Sequence, residues 1–490
     1  MMTEAEALRT LAREDPAVAE DARAALRLLT SGGGLAPISL LRLQEFLWAT
    51  LPGTSAQGTD RHLAVARALA RLLGLAGMER YAEVCGCAET ARIISAYAGS
   101  RDEGLAAYAK ALSRSHAVPP DTDLLAWSTV MGPDERAAYD ACGAAIELAV
   151  AARELKVGVS GWKTKRAALV ERWLTQPTFE PDGDTWLSKI SAERIDEWAH
   201  GHPGERAALA RRLMPRLLEP PDLPDEPLPT VRWLLRHADA GLRLTARHYI
   251  APSLVGEAAG LFGWAPPRGS SVGGGSVGGG PSGSGGTAGP AGPVRPAGPA
   301  GASAGGRYQE LEVYPLHVLR GLAQHEMGAV RRSGASLVLS RTGRLMADDA
   351  AVRWHIGTAA LIGPDDGTDP DFTVAVREAA LLVIALSNGP VDCEDLTGRL
   401  TELHALEGWA SRSGGSLAGA IRSEIHVLRH RLRALQLLDE SASAGPGAGA
   451  GGLTAGGGCS PALALTPTGT AAALSALLAR ALRPRRHEHG

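Results

Sequence analysis

Apolar side chains recur every three or four residues through most segments of this 490-residue chain that are not rich in glycine or proline. The cleanest series is Ile421, Ile425, Leu428, Leu432, Leu435 and Leu438. Leu63, Ala66, Leu69, Leu73 and Ala76 form another. That spacing lines one face of a helix, whereas a strand presents a face every second residue. Aromatic residues make up 4% of the chain, so the core must be built from Leu, Ala and Val, which suits close-packed helices better than sheets. The length exceeds what a single hydrophobic core usually serves, so two or more compact units are expected.

Residues 1–217 read as an all-helical array. Helices are expected over Ile38–Leu47, Leu63–Leu75, Glu79–Tyr97, Glu103–Ser113, Asp134–Leu155 and Lys163–Leu174, separated by Gly, Pro or Asp. Pro52-Gly53-Thr54-Ser55 is expected to part the first two. Trp48, Trp127, Trp162, Trp173, Trp186 and Trp198 serve as core anchors. A proline-rich, acidic stretch within 218–230 reads as a stiff connector, because proline removes backbone donors and restricts the residue before it. Residues 268–306 and 441–458 are almost wholly Gly, Ala, Ser and Pro, and are expected to be disordered inserts.

Several function classes lose support at this level. The formal net charge of -3 gives no whole-chain attraction to nucleic acid or anionic membrane. Arginine greatly outnumbers lysine, as in a GC-rich genome, so it carries less functional meaning than usual. The strongest apolar run, Ala379–Leu386, falls far short of the ~20 residues a membrane helix needs. With acidic Glu4 and Glu6 where a secretory signal would be basic, a cytoplasmic protein is expected. Cys85-Gly86-Cys87 is the one close cysteine pair, and no second pair lies at zinc-site spacing, so these read as small buried side chains. No phosphate-binding loop and no His-Glu-x-x-His occurs. Matches to Gly-x-Ser-x-Gly at 269–273 and 274–278 lie in low-complexity sequence without the strand and helix that motif requires. No cofactor or metal is expected, and an enzyme is the weakest of the functional classes.

One phrase recurs: Leu242-Arg243-Leu244-Thr245, Leu337-Val338-Leu339-Ser340 and Leu463-Ala464-Leu465-Thr466. Two leucines at period two suit a short half-buried strand, and the Thr or Ser suits the cap of a following helix. Each phrase follows an amphipathic helix and a polar or Gly-rich gap. A helix, a hairpin and a capped helix make the closing half of a winged-helix domain.

The ending Leu465-Thr466-Pro467-Thr468-Gly469 resembles the wing of winged-helix regulators. More broadly, residues 230–482 resemble helical proteins of GC-rich bacteria that carry such phrases in series. The resemblance implies a mainly α fold: an N-terminal helical array followed by winged-helix-like modules with short β-hairpins. Their expected spans are 231–267 (degenerate, with His248 where a glycine would stand), 307–400 and 401–482, with a basic tail at 483–490. It implies no known activity. Two non-catalytic partner classes stay open. One is duplex DNA, for which Arg422, His426, Arg429 and Arg433 on the helix from Ile421, with Arg331, Arg332, Arg341 and Arg344 around the second phrase, are the candidate contacts. The other is a protein partner held by the helical array, with winged-helix modules for docking.

Overall fold

The computed structural model describes residues 2–54, 58–178, 183–264, 308–363, 370–387, 389–410, 415–443 and 462–485. The expected inserts therefore lie outside the described residues, apart from Ser441–Ser443 in a short helix. The protein is mainly helical, with a few short antiparallel strands. No described helix is long and apolar enough to cross a membrane. The chain divides into two compact units, residues 1–194 with 482–490, and residues 195–481. The division falls inside the helix Trp186–Gly201 rather than at the proline-rich stretch.

The first unit is helical among its described residues, apart from one bridge between Pro177 and Thr185. Its starts obey local chemistry. Thr3 and Glu6 form a capping box before Glu4–Glu14, and Asp15 caps Pro16–Thr30 from its side chain. Leu11, Leu43, Leu47, Leu69, Leu73, Ile93 and Ile94 share one core, with Trp48 donating to Thr90 at 2.8 Å. The expected helix from Glu79 breaks in two at Cys87, which caps Ala88–Ala96, while Cys85 is buried as expected. Pro52 and Gly53 do not end the first expected helix: they lie in Leu51–Thr54, which continues Leu40–Glu45 through a π turn at Phe46–Thr50, where the backbone bonding shifts just ahead of the proline. Residues 482–485 belong to this unit too: Thr129 donates to the Arg485 carbonyl at 2.8 Å, and Arg194 donates to the Leu482 carbonyl at 2.7 Å.

Labels are given in the second unit, starting with α1 (Gly204–Leu218). The proline-rich stretch after it is anchored, because Leu228 is buried and Arg353 donates to the Pro227 carbonyl at 3.2 Å. Next come α2 (Pro229–Asp239), β1 (Leu242–Arg243), α3 (Pro252–Leu261), α4 (Tyr314–Gly321, continued by a π turn Leu322–Glu326), β2 (Val330–Ser333), β3 (Ser336–Leu339) and α5 (Arg341–Asp348). Strand order is β1-β3-β2, with Leu242 opposite Leu337 and Val330 opposite Leu339. This pairing corrects the expected boundaries. The first two phrases are strands of one sheet, so 231–267 and 307–348 make a single module. Nor does the first phrase turn directly into a helix: α3 starts at Pro252, after a turn in which His248 takes a positive φ of 63°.

After α6 (Ala350–Ala359) the pattern repeats in α7 (Pro370–Leu386), β4 (Val391–Asp392), α8 (Cys393–Leu406), α9 (Leu417–Ala434), β5 (Ala462–Leu463) and α10 (Pro467–Ala481). β4 pairs with β5, and Leu438 bridges Leu465 as Val330 pairs with Leu339. The boundary expected at 400/401 thus cuts through α8. The second phrase behaves as read; in the third the strand is shorter than expected, ending at Leu463, with Leu465 half-buried in a single bridge to Leu438. Leu337, Leu339 and Leu463 are buried on strand, and each phrase leads into a helix.

The two hairpins close identically. Ser340 N donates to Ala329 O at 2.9 Å, and Thr466 N to Leu437 O at 3.0 Å. Gly343 N and Gly469 N each donate 2.9 Å to the capping hydroxyl of Ser340 or Thr466. A Cβ on Gly343 would overlap the Ala329 carbonyl oxygen, and one on Gly469 the Leu437 carbonyl oxygen. Backbone on both sides leaves no side chain to move away. Gly343→Ala and Gly469→Ala should each destabilise the second unit by about 1–3 kcal/mol, read as a lower urea midpoint at unchanged slope.

Candidate nucleic-acid interface

The stripe read from the sequence on α9 is exposed in part, and carboxylates hold much of it. Arg422 Nη2 lies 2.8 Å from Glu394 Oε2, and Arg433 Nε lies 2.7 Å from Glu440 Oε1. Arg429 has no ion-pair partner among the described residues. His426 and His430 face each other with Nε2 atoms 2.9 Å apart. Burial, with the neighbouring charges of His426, Arg429 and Arg433, pushes His430 down to about 4, so its ring is neutral at physiological pH. That ring packs edge-on against Tyr314 of α4 at 4.5 Å.

Exposed ion pairs are worth about 0–1 kcal/mol, so they alone would not keep these arginines from a phosphate. The local sum of charge matters more, because a ligand within a Debye length of ~8–10 Å feels all of it. Beside Arg422, Arg429 and Arg433 stand Asp392, Glu394, Asp395, Asp439 and Glu440 in the same module. Five carboxylates against three arginines weaken the pull of that face on an anion.

The hairpin of the first module is the reverse. Arg331 and Arg332 on β2, and Arg341 and Arg344 in the first turns of α5, are exposed and have no ion-pair partner among the described residues. The sheet adds two arginines that the sequence reading did not select. Arg243 on β1 pairs with Ser336, and Arg331 with Val338, so the alternation of β3 puts both on its outer face. Arg247 is exposed on the turn after β1. Residues 240–250 and 328–347 together hold six arginines and no Asp or Glu, against Asp239, Asp348 and Asp349 at their edges. At the hairpin tip, Gly334 takes the positive φ that a two-residue turn requires, which leaves the approach open. Recognising that Leu242-Arg243 pairs with Ser336-Leu337 would have added Arg243 to the set.

The same register assigns counterparts in the second module. Asp392 stands where the first module has Arg243, Asp439 for Arg331, Pro467 for Arg341 and Thr470 for Arg344, while Glu440, next after Asp439, already starts a short helix. One fold thus carries two hairpins of opposite charge.

Among the described residues no group of three or more His, Cys, Asp or Glu is placed to hold a metal ion. No family model, curated protein or solved structure matches the chain.

Proposed function

We propose that residues 229–348 and 370–481 are two winged-helix modules in tandem, and that the protein is a non-catalytic, cytoplasmic one that binds duplex DNA through the hairpin wing of the first. The order helix, strand, two helices and hairpin, with β3 between β1 and β2, supports the winged-helix reading. The observation that carries the binding is the set of exposed arginines without carboxylate partners: Arg243, Arg247, Arg331, Arg332, Arg341 and Arg344. Arginines of this kind gain affinity by releasing counterions from phosphates.

The test is anisotropy of a labelled duplex titrated with the full chain across a salt series. Phosphate contacts by all six arginines predict a fall of log K against log salt with a slope of about -5.4. Changing Arg331, Arg332, Arg341 and Arg344 together to Ala should lower affinity by about 100-fold or more at low salt and flatten the slope, since the phosphate term dominates. Arg422→Ala with Arg433→Ala should leave affinity within about threefold. Wild-type protein without salt-sensitive duplex binding overturns this reading and favours the protein-interaction scaffold.

A further inference from the structure

We infer that the duplex contact is made by one wing per chain, to the sugar–phosphate backbone, without reading base sequence; this rests on the binding proposed above. In a winged helix the third helix is the one that enters the major groove. Here the helices at that position, α4 and α9, pack on each other. Tyr314 lies against His430, and Glu326 holds Arg431 at 2.8 Å. A helix with its side chains is ~10–12 Å across and packed helices sit 8–10 Å apart, so the pair is about 20 Å wide. A major groove of ~12 Å admits one helix, not two side by side.

Most of the side chains suited to base edges are also occupied. Arg320 of α4 donates to the His248 carbonyl at 2.6 Å, contacts Glu310 at 3.2 Å and lies over the Tyr249 ring, while His317 contacts Glu310 at 3.1 Å. On α9, Arg422 and Arg433 hold carboxylates and Arg431 is buried, which leaves Arg429 as the one arginine of this helix without an ion pair among the described residues. The densest outward cationic group is the first hairpin and the turn of α5 it leads into, with six arginines. The acidic residues at the equivalent positions of the second hairpin repel a second phosphate backbone.

The experiment is selection of a random-sequence duplex library by the full chain at about 0.1 M salt, followed by sequencing, with anisotropy on one GC-rich and one AT-rich duplex. The expected result is no enriched motif and affinities within about threefold. Gln324→Ala with His325→Ala, the remaining polar side chains late in α4, should leave binding unchanged, whereas Arg331→Ala with Arg332→Ala should weaken it on both duplexes alike. An enriched consensus, or a preference above about 30-fold for one duplex, overturns the inference and leaves the binding itself standing. Loss of binding in the Gln324/His325 variant overturns it too. Absence of salt-sensitive binding to any duplex overturns the parent proposal and this inference with it.

Discussion

Arg431→Ala is expected to lower the stability of the second unit by about 3 kcal/mol, the lower end of what breaking a buried ion pair costs. Arg431 is buried on α9, where its guanidinium donates 2.6 Å to the Ala360 carbonyl and 2.8 Å to Glu326 Oε1. Arg377 of α7 sits beside it, donating 3.1 Å to the Ile362 carbonyl and 3.0 Å to Glu424. The two arginines thus hold the carbonyls of Ala360, the cap of α6, and of Ile362 in the turn after it, where cations meet the negative end of a helix. Gly363, with φ of 97°, brings the backbone close to Glu326, Arg377 and Arg431. The pair ties the end of α4, in the first module, to α9, in the second. Its loss leaves a half-buried carboxylate and a buried carbonyl without a donor. The double change Arg431→Met with Glu326→Leu should recover more than half of the loss, because it removes both charges. Hydrogen exchange of α9 amides in the full chain checks both values. Arg422→Ala, at an exposed pair, should cost under about 1 kcal/mol.

Arg431 also shows where sequence reading runs out. It falls three residues after Leu428 and directly before Leu432, inside the apolar stripe of α9, so the spacing already marked it as inward-facing. Its partner Glu326, on α4, was not legible, since no periodicity links the two helices. The helical class was legible because amphipathic spacing is local. Leu337–Leu339 was legible as a strand from its two leucines at period two before a capping Ser, and Leu463–Leu465 only in part, since the strand ends at Leu463 and Leu465 makes a single bridge. The joining of Leu242 with Leu337 was not, since two leucines at period two specify a face but no partner. That one missed pairing divided a single module in two and left Arg243 and Arg247 out of the interface.

The charge inversion between the hairpins follows from the same register. Arg331 on β2 and Asp439 just after the Leu438 bridge hold corresponding backbone positions, and a position open to solvent tolerates either sign. Folding therefore does not set the sign there, which leaves it open to partner chemistry. The sequence alone presents these residues as unrelated charges on separate segments.

Replacing Glu378 is expected to have an effect of similar size to Arg431→Ala, with a pH signature of its own. The carboxylate is buried on α7 and accepts from Trp198 Nε1 at 2.9 Å and Arg480 Nε at 3.2 Å, with His202 Nε2 3.1 Å away. Burial pushes its pKa up, but the His202 contact and the charges of Arg206 and Arg480 outweigh it and hold the group at about 2. A carboxyl depressed in the folded chain from the usual 4.5 contributes stability above pH 4.5 and loses it as pH falls toward 2. That contribution is on the order of 3 kcal/mol at neutral pH, with roughly 2 of it gone by pH 3. Glu378→Ala should therefore cost about 3–5 kcal/mol at pH 7, since it also strips buried Arg206 of a compensating charge and leaves the Trp198 donor unmet. Glu378→Gln keeps the shape and an acceptor but has no charge to titrate. Its deficit relative to wild type should be largest above pH 4.5 and should shrink steadily below it. Thermal midpoints of wild type and Glu378→Gln at pH 7, 5, 4 and 3 decide the matter. A deficit that stays constant over that range would show that the carboxylate's charge contributes nothing, and that the network around α7 is held by packing alone.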